Sequence, residues 1–279
     1  MFSNLLVKFN LSKRTSLLIP YAIVALLLIV LPMILILSKA FANNGAEFDN
    51  WEIVKSSHTW RIILRSLNAG IFASIICLII ALPYAYFVAT SKSKVFQIYA
   101  LSLVVSPLAI FTIARIYALR SLFQLIFASD INSLNSLWFI ITGLVYLNLP
   151  LMVMPLYTVF KDMPKNIIEA SNDLGNNTFR TFIRVIIPYG TKAILSGFAM
   201  IFLASATTFV VSQKLLPDSS QLQLIGNQIN EKINPGNQFN LSSGSALVIV
   251  VSGIFISIYA LALVVPRIIF FLKKGAQYE

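Results

Sequence analysis

Six long stretches of this 279-residue chain carry no charge: 24 residues after Arg14, 26 after Arg65, 20 after Lys94, 30 after Asp130, 21 after Lys192 and 34 after Lys232. A helix rises about 1.5 Å per residue, so roughly 20 apolar residues cross the hydrocarbon core of a bilayer. Inside lipid the backbone must satisfy its own N–H and C=O groups, which leaves the helix as the form such segments take. The stretches therefore predict an all-α membrane protein with six transmembrane helices in one bundle. The spans are expected near Leu17 to Leu37, Ser66 to Ala89, Phe96 to Tyr117, Leu137 to Val159, Ala193 to Val211 and Ala246 to Phe271. Composition agrees, with 58% hydrophobic residues, 11% charged residues and a mean hydropathy of +0.83. Prolines 83, 107, 150 and 155 fall inside or near the ends of spans, where kinks are expected.

Basic residues set the orientation. With the amino terminus inside, 13 of the 21 Lys and Arg residues face the cytoplasm and 8 face out, whereas 4 acids lie inside and 6 outside. Residues 1–16 then form a cytoplasmic amino-terminal segment, 17–271 the six-span domain with 160–190 as a cytoplasmic loop, and 272–279 a cytoplasmic tail. The net charge of +11 follows from this topology and does not call for nucleic acid. Ala40-Phe41-Ala42 has the form of a signal-peptidase site, but the preceding apolar run is too long for a signal-peptide core, so an uncleaved first span is expected. Cys77 stands alone inside the second span and suggests neither a disulfide nor a metal site, and His58 reads as a solvated loop residue.

The function classes narrow in the same way. No Gly-x4-Gly-Lys-[Ser/Thr] phosphate cradle is present, so energy from ATP would have to come through a partner. None of the ten acids falls within the six spans, which weighs against a proton-coupled carrier, although ion sites built from carbonyls and hydroxyls remain open to a secondary transporter. No His, Asp and Glu cluster has catalytic or metal spacing near the bilayer, which weighs against an enzyme.

The most specific segment is Glu169-Ala170-Ser171-Asn172-Asp173-Leu174-Gly175, followed after nine residues by Val185-Ile186-Ile187-Pro188. It reads as two short helices joined at a glycine. Asp162 and Pro164 are expected to open the first, Gly175 to end it in the left-handed conformation, and Asn177 or Thr178 to cap the second. Phe179, Phe182, Ile183 and Ile186 are spaced to share one face of that second helix, with Arg180 and Arg184 on another. Such a stripe needs a cover, either a groove on a partner protein or the lipid headgroups.

This segment resembles the cytoplasmic loop of permeases in binding-protein-dependent ABC importers, whose pattern is Glu-Ala-Ala, three residues, Gly, nine residues, Ile, any residue, Leu-Pro. Every spacing is kept. Ser171, Val185 and Ile187 stand in for Ala, Ile and Leu. The resemblance favours partner docking and implies a type I ABC importer permease fold, with the coupling loop between helices 4 and 5. It implies coupling roles for Glu169, Ala170, Ser171, Asp173, Gly175 and Pro188, with Phe179, Phe182 and Ile183 as apolar anchors.

Further segments are similar to the spermidine/putrescine branch of these permeases. They are Arg65-Ser66-Leu67, Leu82 to Phe87, Arg115-Ile116-Tyr117-Ala118, Tyr146 to Pro150 running on to Leu156-Tyr157, Thr208 to Ser212, Leu224 to Asn227 and Gly244-Ser245-Ala246. The resemblance covers roughly residues 60 to 265. It implies a prokaryotic plasma-membrane permease that pairs with a second, unlike permease subunit, with homodimerisation as the alternative. The other implied partners are a pair of ATPase subunits, which hold the ATP and Mg, and an extracellular substrate-binding protein. No cofactor is expected in this chain, and an importer for another small substrate is the main rival reading.

Tyr117, Tyr146, Asn148, Tyr157, Thr207, Thr208 and Phe209 are polar or aromatic residues within or beside spans. They are candidates for lining a polycation's path, with helix packing or an interfacial aromatic belt as the alternative for each. Thr208 stands where many relatives of the branch carry Glu, and Arg115 is expected to anchor the outer end of the third span or to contact the binding protein. The outer segment from Gln213 to Ser245 is too polar to span and is expected to hold a short helix around Leu222 to Ile229. The other outer loop, Lys39 to Arg65, carries Trp51 and Trp60, which suit the membrane interface.

Overall fold

The structure, a computed structural model, describes residues 18–43, 48–218, 222–233 and 236–275, without the side chains of Gln238 and of residues 265–275. The expected amino-terminal segment 1–16 and the last four residues, 276–279, of the expected tail 272–279 lie outside the described residues, with Lys8, Lys13, Arg14 and Glu279, as do the side chains of Arg267, Lys273 and Lys274. Every regular element among the described residues is a helix. In chain order these are α1 (Ile19–Ala40), α2 (Glu52–Lys55), α3 (Ser57–Thr90), α4 (Lys94–Val105), α5 (Thr112–Ile126), α6 (Leu137–Lys161), α7 (Lys165–Asp173), α8 (Thr178–Thr207), α9 (Val210–Leu215), α10 (Ile225–Lys232) and α11 (Gln238–Gly275). Five are long and apolar enough to cross a membrane, namely α1, α3, α6, α8 and α11.

The sixth expected span, Phe96 to Tyr117, is not one straight helix. Its two halves, Lys94–Ala109 and Thr112–Ile126, meet at 103°. The cause lies in the connecting residues, where Pro107 is the second residue of a 3-10 turn over Ser106–Ala109 and Ile110 turns extended at φ −93° and ψ 138°. Proline cannot donate the hydrogen bond that would carry the helix through. Phe111, at the corner, is 87% exposed.

The chain divides into two compact units. The first holds residues up to Lys55 and Lys232–Val250. Within it α1 buries only Ala40, so its apolar surface lacks cover within the unit. Its end is fixed by Asn50, whose Nδ2 donates to the carbonyls of Ala40 and Ala42 at 3.0 and 2.8 Å. Phe41 packs on Trp51 at 5.2 Å between ring centroids, and Phe48 meets Phe239 edge-on at 4.8 Å.

The second unit holds Ser56–Glu231 and residues from Val251 onward, and it is built around α3, α6 and α8. Small residues run down the buried side of α3 as Ala69, Gly70, Ala73, Ser74, Cys77, Ala81 and Ala85. Lipid tails give helices no hydrophobic reason to associate, so close backbone approach and dispersion must do it, and small residues permit that approach. At Gly70 an added Cβ would lie 2.9 Å from the Ala206 Cβ and 3.2 Å from the Phe202 carbonyl oxygen. Larger side chains fill the remaining volume, among them Phe139, Leu144, Met152, Leu156, Phe160 and Phe202. Helix α3 passes Pro83, and α6 passes Pro150 and Pro155, without ending.

Four helix boundaries move well away from their expected places. Helix α3 starts at Ser57, capped by the Ser56 hydroxyl, so the helix carries Arg61 and Arg65. Helix α8 starts at Thr178 rather than Ala193 and ends at Thr207 rather than Val211, and α11 starts at Gln238. Charge spacing locates the lipid-crossing part of a helix and is blind to turns that continue beyond it.

Candidate functional site

The loop between α6 and α8 projects a helix and a tight turn. Asp162 does not open this helix. It sits at the C-terminal end of α6, its amide bonding the Thr158 and Phe160 carbonyls, and Pro164 alone precedes Lys165 in extended conformation. At the far end of α7 the Gly175 amide donates to the Asn172 carbonyl at 2.8 Å and the Asn176 amide to the Ser171 carbonyl at 3.2 Å. This crossed pair closes a helix when the residue between is left-handed. Gly175 has φ +78° and is the one described glycine with positive φ. Asn177 then caps α8, its Oδ1 accepting from the Arg180 amide at 2.8 Å.

A buried hydroxyl pair ties the two sides of the turn. The oxygens of Ser171 and Thr181 lie 2.9 Å apart, and Asn176 Nδ2 donates to Ser171 at 3.4 Å. Serine in the place of alanine thus adds a cross-link between the loop helix and the start of α8. Ser171 and Thr181 are only 4% and 1% exposed, so the pair is buried at the turn.

The expected apolar stripe is divided. The second helix is not short but is the first part of α8, and its residues Phe182–Ile186 form a π-turn ahead of Pro188. Widening the helix by one residue per turn rotates the side chains away from the face that α-helical spacing assigns. Ile186 is fully buried, and Phe182 packs on Tyr86 with centroids 5.5 Å apart. Phe179 and Ile183 stay exposed, and the outward apolar surface gains Leu174, which is 83% exposed beside Phe179 at 71%. Glu169, Ala170 and Asp173 are also exposed, as is Pro188. A shallow groove of about 430 Å³ runs along the turn, lined by Asn166, Ile167, Ala170, Leu174 and Val185 among others. Sequence reasoning missed Leu174 and Thr181 as parts of this site; Leu174 was visible as an apolar residue beside the turn glycine.

The other candidates do not form one cluster. Asn148 Nδ2 donates to Ser205 Oγ at 3.0 Å, joining α6 to α8. Tyr157 is buried under the Lys161 ammonium, which lies 5.3 Å from its ring centroid. Tyr117 and Tyr146 are partly exposed. Thr207, Thr208 and Phe209 form the break between α8 and α9. Arg115 is only 6% exposed and does not reach outward as a contact residue would. Its Nη2 bonds the Thr112 hydroxyl at 3.3 Å, whereas Nε and Nη1 have no partner among the described residues.

Near that break, α10 occupies the stretch expected to hold a short helix. The Ile225 amide donates to Ser66 Oγ at 2.8 Å, Gln228 Nε2 to Thr59 Oγ1 at 3.2 Å, and Ser212 Oγ to Asn227 Oδ1 at 3.1 Å. Gly226 lies so close to the break that a Cβ there would be 2.6 Å from the Thr207 carbonyl oxygen.

Relatives and solved structures give this arrangement a context. The chain is 31% identical over 271 residues to a spermidine/putrescine transport system permease PotB homolog of Mycoplasma pneumoniae, covering 93% of this chain and 94% of that protein. It is 29% identical over 282 residues to the corresponding homolog of Mycoplasma genitalium, covering 97% and 99%. It is 30% identical over 259 residues to the spermidine/putrescine transport system permease protein PotB of Escherichia coli, covering 84% and 91%. No family model matches. In fold it is similar to a chain of a bacterial ABC transporter involved in the import of the acidic polysaccharide alginate, with TM-score 0.63 and 14% identity, over 92% of this chain and 98% of that one.

Proposed function

Because this chain belongs to the PotB family of spermidine/putrescine transport permeases, we propose that it forms part of the translocation pathway of an ATP-driven polyamine importer, energised by separate ATPase subunits. The chain is a multi-pass membrane permease. In the proposed assembly both termini and the α7 loop face the cytoplasm, a second permease completes the pathway, and an extracellular binding protein delivers the substrate. This chain holds no cofactor of its own; ATP and Mg belong to the ATPase pair.

The observation that carries the coupling role is the exposed pair Leu174 and Phe179 on a turn fixed by Gly175 and by the Ser171 and Thr181 hydroxyls. Burying a side chain of this size gains about 1.5–3 kcal/mol, so the two give a partner groove a substantial contact. The short cross-linked turn passes the partner's motion into α8, because Phe182 and Ile186 of the same stretch are packed inside the bundle. Glu169 and Asp173, on the exposed loop helix, supply acceptors for charge-assisted hydrogen bonds from basic partner residues. Loaded binding protein and ATP together turn the pathway outward, and hydrolysis returns it inward.

The test uses the fact that Cys77 is the chain's one cysteine and is fully buried. Leu174→Cys and Phe179→Cys, each in the full transporter, should cross-link to an ATPase subunit through a short bismaleimide, whereas Leu125→Cys should not. Cross-linking absent from both loop positions contradicts the docking assignment.

A further inference from the structure

The end of α8 combines two features that the coupling loop does not use. The first is electrostatic. Helix α8 stops at Thr207, with Thr208 extended at ψ 145°, and among the described residues the carbonyls of Ala204, Ser205, Ala206 and Thr207 accept no backbone hydrogen bond from outside the helix. The last four carbonyls of a helix lack intrahelical partners and concentrate about half a negative charge at that end. The second is a cavity of about 290 Å³ at the same place. Its walls are Leu203 and Thr207 of α8, Ile225, Gly226 and Ile229 of α10, and Val251, Ser252, Phe255 and Ile256 of α11. Its size is near the lower end of small-molecule sites, which run from about 300 Å³ upward. Gly226 lets α10 pack closely on the end of α8, since a side chain there would collide with the Thr207 carbonyl oxygen.

We propose that this cavity binds one ammonium end of an organic polycation together with the methylenes next to it. An ammonium carries three donors and no acceptor. Thr207 and Ser252 are the lining residues with side-chain oxygens that can accept such donors. The Thr207 hydroxyl spends its proton on the Leu203 carbonyl at 2.7 Å and so presents lone pairs. The Ser252 hydroxyl has no hydrogen bond among the described residues. Leu203, Ile229, Val251, Phe255 and Ile256 suit methylenes and would not suit a bare metal ion, which needs several oxygen ligands. No carboxylate lines the cavity. Helix-end carbonyls hold the cation loosely, as a passage requires.

The inference rests on the polyamine reading above, and one experiment separates the two. Uptake of radiolabelled spermidine and putrescine is measured in proteoliposomes holding the complete transporter with wild-type chain, Ser252→Asp, Ser252→Asn or Ser252→Lys, and assembly is checked by co-purification with the ATPase subunits. Asp and Asn fill the same volume and differ in charge. The expected result is a KM about tenfold lower for Asp than for Asn, with uptake lost in Lys while the complex still assembles. Equal KM values for Asp and Asn, or normal uptake by an assembled Lys variant, overturn the cavity. If the Lys variant fails to assemble, the Asp and Asn comparison decides. Absence of polyamine uptake by the wild-type transporter overturns the functional reading instead.

Discussion

Replacing Gly175 should uncouple ATP hydrolysis from transport without disturbing the bundle. The residue sits at φ +78°, and a Cβ built there meets nothing within 4 Å, so a larger side chain costs conformational strain and no collision. An L-residue with a Cβ in the left-handed region costs about 1–2 kcal/mol, more when β-branched, and Asn costs least because its side chain bonds locally. At about 1.4 kcal/mol per factor of ten, Gly175→Ala should lower the population of the native turn roughly 5- to 30-fold, with Val worse and Asn milder. The turn holds Leu174 and Phe179 in place, so that population limits docking. The assay is the number of substrate molecules imported per ATP hydrolysed in proteoliposomes, expected in the order Gly, Asn, Ala, Val from best to worst. Normal coupling in Gly175→Val, or Asn as damaging as Val, would refute the argument that positive φ sets the coupling geometry.

Other predictions follow from single contacts. Ser171→Ala should destabilise the loop by about 1–3 kcal/mol by leaving the Thr181 hydroxyl buried and unpaired, and Thr181→Val in the same chain should restore most of the loss, measured as loop hydrogen exchange in a double-mutant cycle. Asn177→Ala removes the cap of α8 and should cost about 1 kcal/mol, seen as faster exchange of the Arg180 amide. Gly70→Leu would force a side chain between α3 and α8, and should prevent the complex from being purified intact, whereas the exposed Ile79→Leu should not. Cys77 should resist maleimide in the folded transporter and react after denaturation.

Residue patterns differ in how much of this they disclose. Uncharged stretches locate α1, α3, α6, α8 and α11 because desolvating a charge in lipid is costly wherever it occurs. They cannot report the 103° bend at Pro107 to Phe111, since a broken apolar segment has the same composition as a straight one. At the loop, Gly175 was legible because only glycine takes that conformation freely, and Asn177 because capping is a local property. The division of Phe179, Phe182, Ile183 and Ile186 was not legible. It depends on a π-turn and on Tyr86, nearly a hundred residues away, neither of which a repeat of three and four encodes. Arg115 shows the same limit: its position beside the third span suggested an outward anchor, and tertiary packing buries it.

The central claim is tested most directly by uptake of labelled spermidine into proteoliposomes that contain the full transporter and loaded binding protein, with ATP supplied on the ATPase side and no ion gradient. The account predicts accumulation that requires ATP and stops when hydrolysis is blocked. Uptake that proceeds without ATP whenever a proton or sodium gradient is imposed would contradict it.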